Sequence, residues 1–126
     1  MKPFTAFVFP SLLEEILWRG IFLPHPSATT IPYYNYYSWS GIVLIIHVLV
    51  HPLLGSTIWP RGKQVFYDPR FLLLATIVLG GATISYLVSG GSVWAAALTH
   101  GLAVALWSDF FNGESKLIAT FIDIDK

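Results

Sequence analysis

No cysteine occurs among the 126 residues. Disulfides and thiolate chemistry are therefore excluded, and any metal would need histidine and carboxylate ligands. Charge is scarce as well: Asp, Glu, Lys and Arg together make up 11% of the chain, seven acids balancing seven bases. A net charge of zero leaves no basic surface to meet phosphates, so nucleic acid is not an expected partner. The start, Met1-Lys2-Pro3, is too short for the charged region of a signal peptide, and no A-x-A-like cleavage site follows it. Internal repeats and low-complexity tracts are missing too. What the chain has in plenty is apolar surface, at 55% hydrophobic residues and a mean hydropathy of +0.65. That is more apolar than a soluble domain usually is, and a polytopic, all-α membrane domain spanning residues 1–126 is expected.

Four apolar segments approach the roughly 17–25 helical residues that cross a bilayer core. The first runs from about Phe4 to Leu23 and meets Pro10, which should kink it or start an inner helix at Ser11. The second runs from about Trp39 to Trp59, with Pro52 and Gly55 loosening its later half. The third, Phe71 to Val88, has neither charge nor histidine, and Gly80, Gly81 and Ala82 offer small residues for close packing. The fourth runs from about Val93 to Phe111.

The connections fit four spans. Tyr33, Tyr34, Tyr36 and Tyr37 form an aromatic cluster suited to a membrane–water interface, where Trp39, Trp59, Trp94 and Trp107 are expected as anchors. Residues 60–70 are polar, and Ser89-Gly90-Gly91-Ser92 reads as a tight turn. Lys2, Arg61, Lys63, Arg70, Lys116 and Lys126 all fall on one side. By the positive-inside rule both termini are expected in the cytoplasm.

The stretch Ser11 to Pro24 breaks the apolar pattern with Glu14, Glu15 and Arg19. Glu15 and Arg19 are four residues apart and share a helix face, whereas Glu14 points about 100° away from Glu15. The two acids therefore have different work to do. Charges at membrane depth cost on the order of 2.5–3.5 kcal/mol each, so partners are expected. Glu14 and Glu15, His47 and His51, and His100 all lie within about four residues of the midpoints of their spans, or on the order of 6 Å of rise. Three helices thus bring acids, imidazoles and a guanidinium to one level, and about four helices around a polar centre is the architecture expected. Glu15 with Arg19 also reads as a plain structural ion pair. His47 and His51 have the i, i+4 spacing of a metal pair, but the zincin glutamate is replaced by Val48, and one of the two is expected to be packing. Trp18 is expected to pack or to sit beside a cation.

Glu14-Glu15-Ile16-Leu17-Trp18-Arg19 resembles the E-E-x-x-x-R motif of the CPBP family, the intramembrane proteases of CAAX-processing and bacteriocin-immunity type. His47-Val48-Leu49-Val50-His51-Pro52 is similar to the family's second motif, an aromatic followed four residues later by histidine, with His47 in the aromatic's place. The alternative register, Val43 to His47, lacks the following proline. His100 fits the third motif, with Val104 where an amide or acid often stands. The similarity covers roughly residues 8–107.

The resemblance implies an intramembrane endopeptidase acting on a membrane-associated peptide or protein, prenylated or not. Glu14 would be the general base, His51 would position the water or supply a proton, and His100 would stabilise the oxyanion. Glu15 and Arg19 would order the first helix and bias the charge of Glu14. Glu14, His51 and His100 equally form a donor set for zinc or another divalent metal, and the resemblance leaves metal-free and metal-assisted hydrolysis both open. Val104 removes a polar contact, which also admits an inactive scaffold or immunity protein binding a peptide partner. A proton or metal carrier is a third reading. Relatives usually carry helices before the first motif, so a homo-oligomer or a truncated family member is expected.

Overall fold

Proline kinks the first helix near its start. The residue before a proline is driven out of the helical region, and Phe9, ahead of Pro10, is extended at φ −139° and ψ 122°. The computed structural model describes residues 7–27, 30–58, 63–113 and 115–116. In it, helix α1 consists of three abutting segments, Phe7–Leu12, Leu13–Glu15 and Ile16–Ile21. Its last segment is wound as a π-helix, closed by Phe22 N–H donating to Leu17 O at 3.1 Å.

Helix α2 (Tyr33–Thr57), helix α3 (Pro69–Val88) and helix α4 (Val93–Ala105, continued as a π-wound turn over Leu106–Phe110) complete the bundle. A short helical turn, Lys63–Phe66, lies between α2 and α3. Each boundary has a local cause. Asp68 caps α3 by accepting from Arg70 N–H at 2.7 Å, with Pro69 at the first helical position. Gly91 N–H donates to Tyr86 O and Gly90 N–H to Leu87 O, a Schellman closure of α3 with both glycines at positive φ. Ser92 then caps α4 by accepting from Ala95 N–H.

Helix α4 packs against both α1 and α3, and α2 packs on α3. Small residues allow the close approach: Ala82, Ala96 and Ala97 are fully buried, and the hydroxyls of Ser85 and Thr99 meet across the α3–α4 seam at 2.8 Å. Leu23, Tyr36, Ala82, Tyr86 and Ala96 form a packed cluster at one end.

Among the described residues the chain is helical with no strand. Residues Tyr34–Thr57 and Pro69–Val88 are long and apolar enough to cross a membrane, with mean hydropathies of 1.7 and 2.1. Most of each is not buried by protein, and Ile45, Leu49 and Leu53 on α2, with Leu73, Ile77 and Ile84 on α3, are exposed. Such continuous apolar surface is what lipid covers. Of the four expected spans, α1 and α4 are the shorter elements; the 13-residue α-helical part of α4 rises only about 20 Å.

The tyrosine cluster forms the first turns of α2, which begins at Tyr33; Tyr36 is buried and its hydroxyl donates to Pro24 O at 2.8 Å. Trp107 is half-buried, packs on Phe71 with ring centroids 5.8 Å apart and lines a cavity. Trp39 and Trp94 are exposed. Trp59, Lys2, Arg61 and Lys126 lie outside the described residues.

Candidate active site

The expected charged level exists, and α1 divides its groups by direction. Glu15 and Arg19 face the bundle interior and are 0% and 1% exposed. Arg19 Nη1 lies 3.0 Å from Glu15 Oε2 and donates to Glu15 Oε1 at 3.1 Å. The side chain of Glu14, about 100° around the helix, is 30% exposed and opens onto a cavity.

A guanidinium can only donate, and this decides the state of His47. Arg19 Nη1 donates to His47 Nδ1 at 2.9 Å, so Nδ1 carries no proton. The proton is on Nε2, which donates to Glu14 Oε2 at 3.1 Å. Trp18 stacks on the other side of this imidazole, with centroids 4.5 Å apart and planes at 17°. His47 is therefore a buried, neutral donor that holds the carboxylate of Glu14.

His100 is fixed from behind in the same way. Its Nδ1 lies 2.9 Å from Glu15 Oε1, and a carboxylate paired with Arg19 can only accept, so Nδ1 is protonated. Its other nitrogen, Nε2, lies 3.9 Å from Glu14 Oε2. That gap is too long for a direct bond, and one water with ordinary hydrogen bonds of about 2.8 Å to each side spans it.

His51 stands one turn along α2. Pro52 has no N–H to give, which leaves the carbonyl of Val48 without its usual helical donor. His51 Nδ1 fills that gap, lying 3.2 Å from Val48 O and 3.2 Å from His47 O. Its ring sits edge-on to Phe66 and Phe71, at 5.5 Å from each. With Nδ1 tied to the backbone, Nε2 is left for the cavity.

The cavity holds about 480 Å³. Glu14, His51 and His100 all reach its wall. The remainder is mostly apolar, including Ile58, Val65, Phe66, Phe71, Leu74, Val78 and Trp107, and it extends toward the α2–α3 connection. Val104 is part of that wall, so a methyl surface occupies the place of the family's amide or acid.

Of the two histidines offered for the second motif, His47 is the one bonded to Glu14, and His51 is not hydrogen-bonded to it. His47 lies beneath the carboxylate of Glu14, and His51 stands in the cavity wall, packed on Phe66 and Phe71. Helix α3, which has no charge of its own at this level, nevertheless takes part. Arg19 Nη2 donates to Leu79 O at 2.8 Å and to Thr83 Oγ1 at 2.9 Å. A threonine in an apolar span was the only available sign of this, and Thr76 on the same helix carries the same sign without the contact. Among the described residues no group of three or more His, Asp or Glu side chains is disposed to hold a metal ion.

A family model for type II CAAX prenyl endopeptidase Rce1-like proteins matches residues 2–106. The chain belongs to this family. No curated relative and no solved structure matches it. The matched stretch includes Glu14 through Arg19, His47 through Pro52 and His100 through Val104, the residues that resemble the CPBP motifs. Membership of the Rce1-like family, with two helices long and apolar enough to span, makes this an integral membrane protein of protease lineage.

Proposed function

We propose that this chain is an intramembrane endopeptidase that hydrolyses a peptide bond of a prenylated, membrane-associated substrate, with Glu14 as general base. The observation that carries the reading is the half-open carboxylate of Glu14, bonded to His47, 3.9 Å from His100 Nε2, at the end of an apolar cavity. Water held between Glu14 Oε2 and His100 Nε2 gives one hydrogen to each acceptor and keeps its lone pairs free. As the water oxygen adds to the scissile carbonyl, Glu14 takes its proton and returns it to the leaving amine when the C–N bond breaks. The water's second hydrogen stays on the added hydroxyl and bonds to His100 Nε2, whose ring is held in place by its Nδ1–H donating to the Glu15 carboxylate behind it. His51 faces the same space and orients the peptide or the leaving group.

The apolar walls suit a lipid chain, and they lead toward the α2–α3 connection, which carries Arg61 and Lys63. With α1 to α4 as four spans, that side is cytoplasmic by the positive-inside rule, where lipidated proteins meet the bilayer. The test is Glu14→Gln in proteoliposomes against a farnesylated CaaX peptide. The amide still accepts from His47 but takes no proton, so turnover falls about 10²–10⁴-fold while the melting temperature is unchanged. Wild-type turnover in Glu14→Gln refutes the mechanism. A wild-type protein that binds the peptide without cutting it is a scaffold instead.

A further inference from the structure

Every hydrogen on the two terminal nitrogens of Arg19 has its own acceptor. Nη1 uses Glu15 Oε1 and His47 Nδ1, and Nη2 uses Leu79 O and Thr83 Oγ1. The hydroxyl hydrogen of Thr83 is committed to Leu79 O at 2.8 Å, so its lone pairs are what Arg19 meets. A guanidinium is a rigid plane. Two acceptors on α3 fix that plane through Nη2, and the direction of Nη1 toward His47 follows.

We propose that Thr83 is a positioning residue for the hydrolytic site. It holds the Arg19 fork so that Nη1 keeps His47 in its Nε2–H tautomer, and His47 in turn aims the carboxylate of Glu14. The chain of contact is Thr83, Arg19, His47, Glu14, at 2.9, 2.9 and 3.1 Å. None of the three motifs includes Thr83, and the proposal rests on the reading of Glu14 as base. The competing explanation is that Thr83 only satisfies its own helix, as threonines in apolar helices commonly do. Thr76 is the internal control: its hydroxyl donates to Leu72 O at 2.7 Å, and its side chain is exposed. The titratable groups facing His47 are Glu14, Glu15 and Arg19 from α1, His51 from α2 and His100 from α4.

The experiment compares wild type, Thr83→Val, Thr83→Ser and Thr76→Val in lipid nanodiscs at one pH. Ring-¹⁵N spectra of labelled histidine report the tautomer of His47, and a farnesylated CaaX peptide reports kcat and KM. Wild type, Thr83→Ser and Thr76→Val should show His47 as the Nε2–H tautomer, and Thr83→Val a mixture of tautomers. Thr83→Val should also lower kcat about tenfold with KM nearly unchanged, since hydrogen bonds to charged groups carry about that much discrimination. Thr83→Ala gives the same comparison if the valine variant does not fold. The proposal is overturned by a wild-type His47 that is Nδ1–H or imidazolium. An unchanged His47 spectrum in Thr83→Val, or a loss of kcat that serine does not restore, overturns it as well. If wild type does not cleave the peptide, the hydrolase reading fails, and the histidine spectra still decide whether Thr83 sets His47.

Discussion

Replacing Glu15 and Arg19 singly and together tests the centre of this bundle most directly. Both side chains are almost wholly buried, 3.0 Å apart. Glu15→Gln leaves the guanidinium of Arg19 without its counter-charge, and Arg19→Met leaves the carboxylate of Glu15 without its own. Breaking a buried pair from one side costs about 3–5 kcal/mol, because an uncompensated charge stays behind. Simple addition would put the double variant at about 6–10 kcal/mol on the same basis. With both charges gone, only neutral groups lose a bond: His47 Nδ1 and Thr83 Oγ1 lose the Arg19 donor, Leu79 O keeps the Thr83 hydroxyl, and the new amide oxygen at position 15 can still accept from the Nδ1–H of His100. Neutral interhelical hydrogen bonds in membranes average about 0.6 kcal/mol, so those losses are small. Glu15→Gln with Arg19→Met should therefore cost no more than the worse single change, about 4 kcal/mol, giving a coupling of at least about 2 kcal/mol. Denaturant unfolding in detergent, followed by tryptophan fluorescence, supplies the four free energies. Additivity within about 0.5 kcal/mol would refute the idea that the two charges depend on each other.

Other expectations concern the helix ends. At Gly91 φ is +97°, and an added Cβ would run into the imidazole of His25, whereas at Gly90 nothing stands within 4 Å. Gly91→Ala should lower stability by more than the roughly 1 kcal/mol expected at Gly90 for backbone conformation alone, and equal melting temperatures for the two alanine variants would count against the packing of His25. The Arg70 side chain beside Asp68 holds that carboxyl below its ordinary value of 3.8. Since the folded value is the lower one, the contribution is complete above about pH 3.8 and is lost as pH falls through the folded value. Amide exchange at Arg70 should accelerate over that acid range, and Asp68→Asn, which keeps a capping oxygen, should abolish the acceleration; a variant with the same acid response refutes the assignment.

Legibility varied with the range of the physics involved. Helical geometry is local, so the separation of Glu14 from Glu15 and the pairing of Glu15 with Arg19 could be read directly from spacing. The break at Pro10 was equally plain, since proline restricts the residue before it. Depth along four apolar segments brought Glu14, His47, His51 and His100 to one level before any coordinates. Which histidine would bond Glu14 could not be read so easily. His47 and His51 are one turn apart on nearly the same face, and the choice depends on where α2 sits against α1.

By itself, then, the sequence determined an apolar helical chain with its costly groups gathered at one depth, because burying a charge without a partner is too expensive to be accidental. Tertiary packing decided the roles within that gathering. It laid Trp18 on His47, brought the carbonyl of Leu79 and the hydroxyl of Thr83 from a helix with no charge at that level to Arg19, and set Trp107 against Phe71 in the cavity wall. Those outcomes depend on the rotation and offset of whole helices. An ångström of sliding changes them while leaving every local spacing as it was.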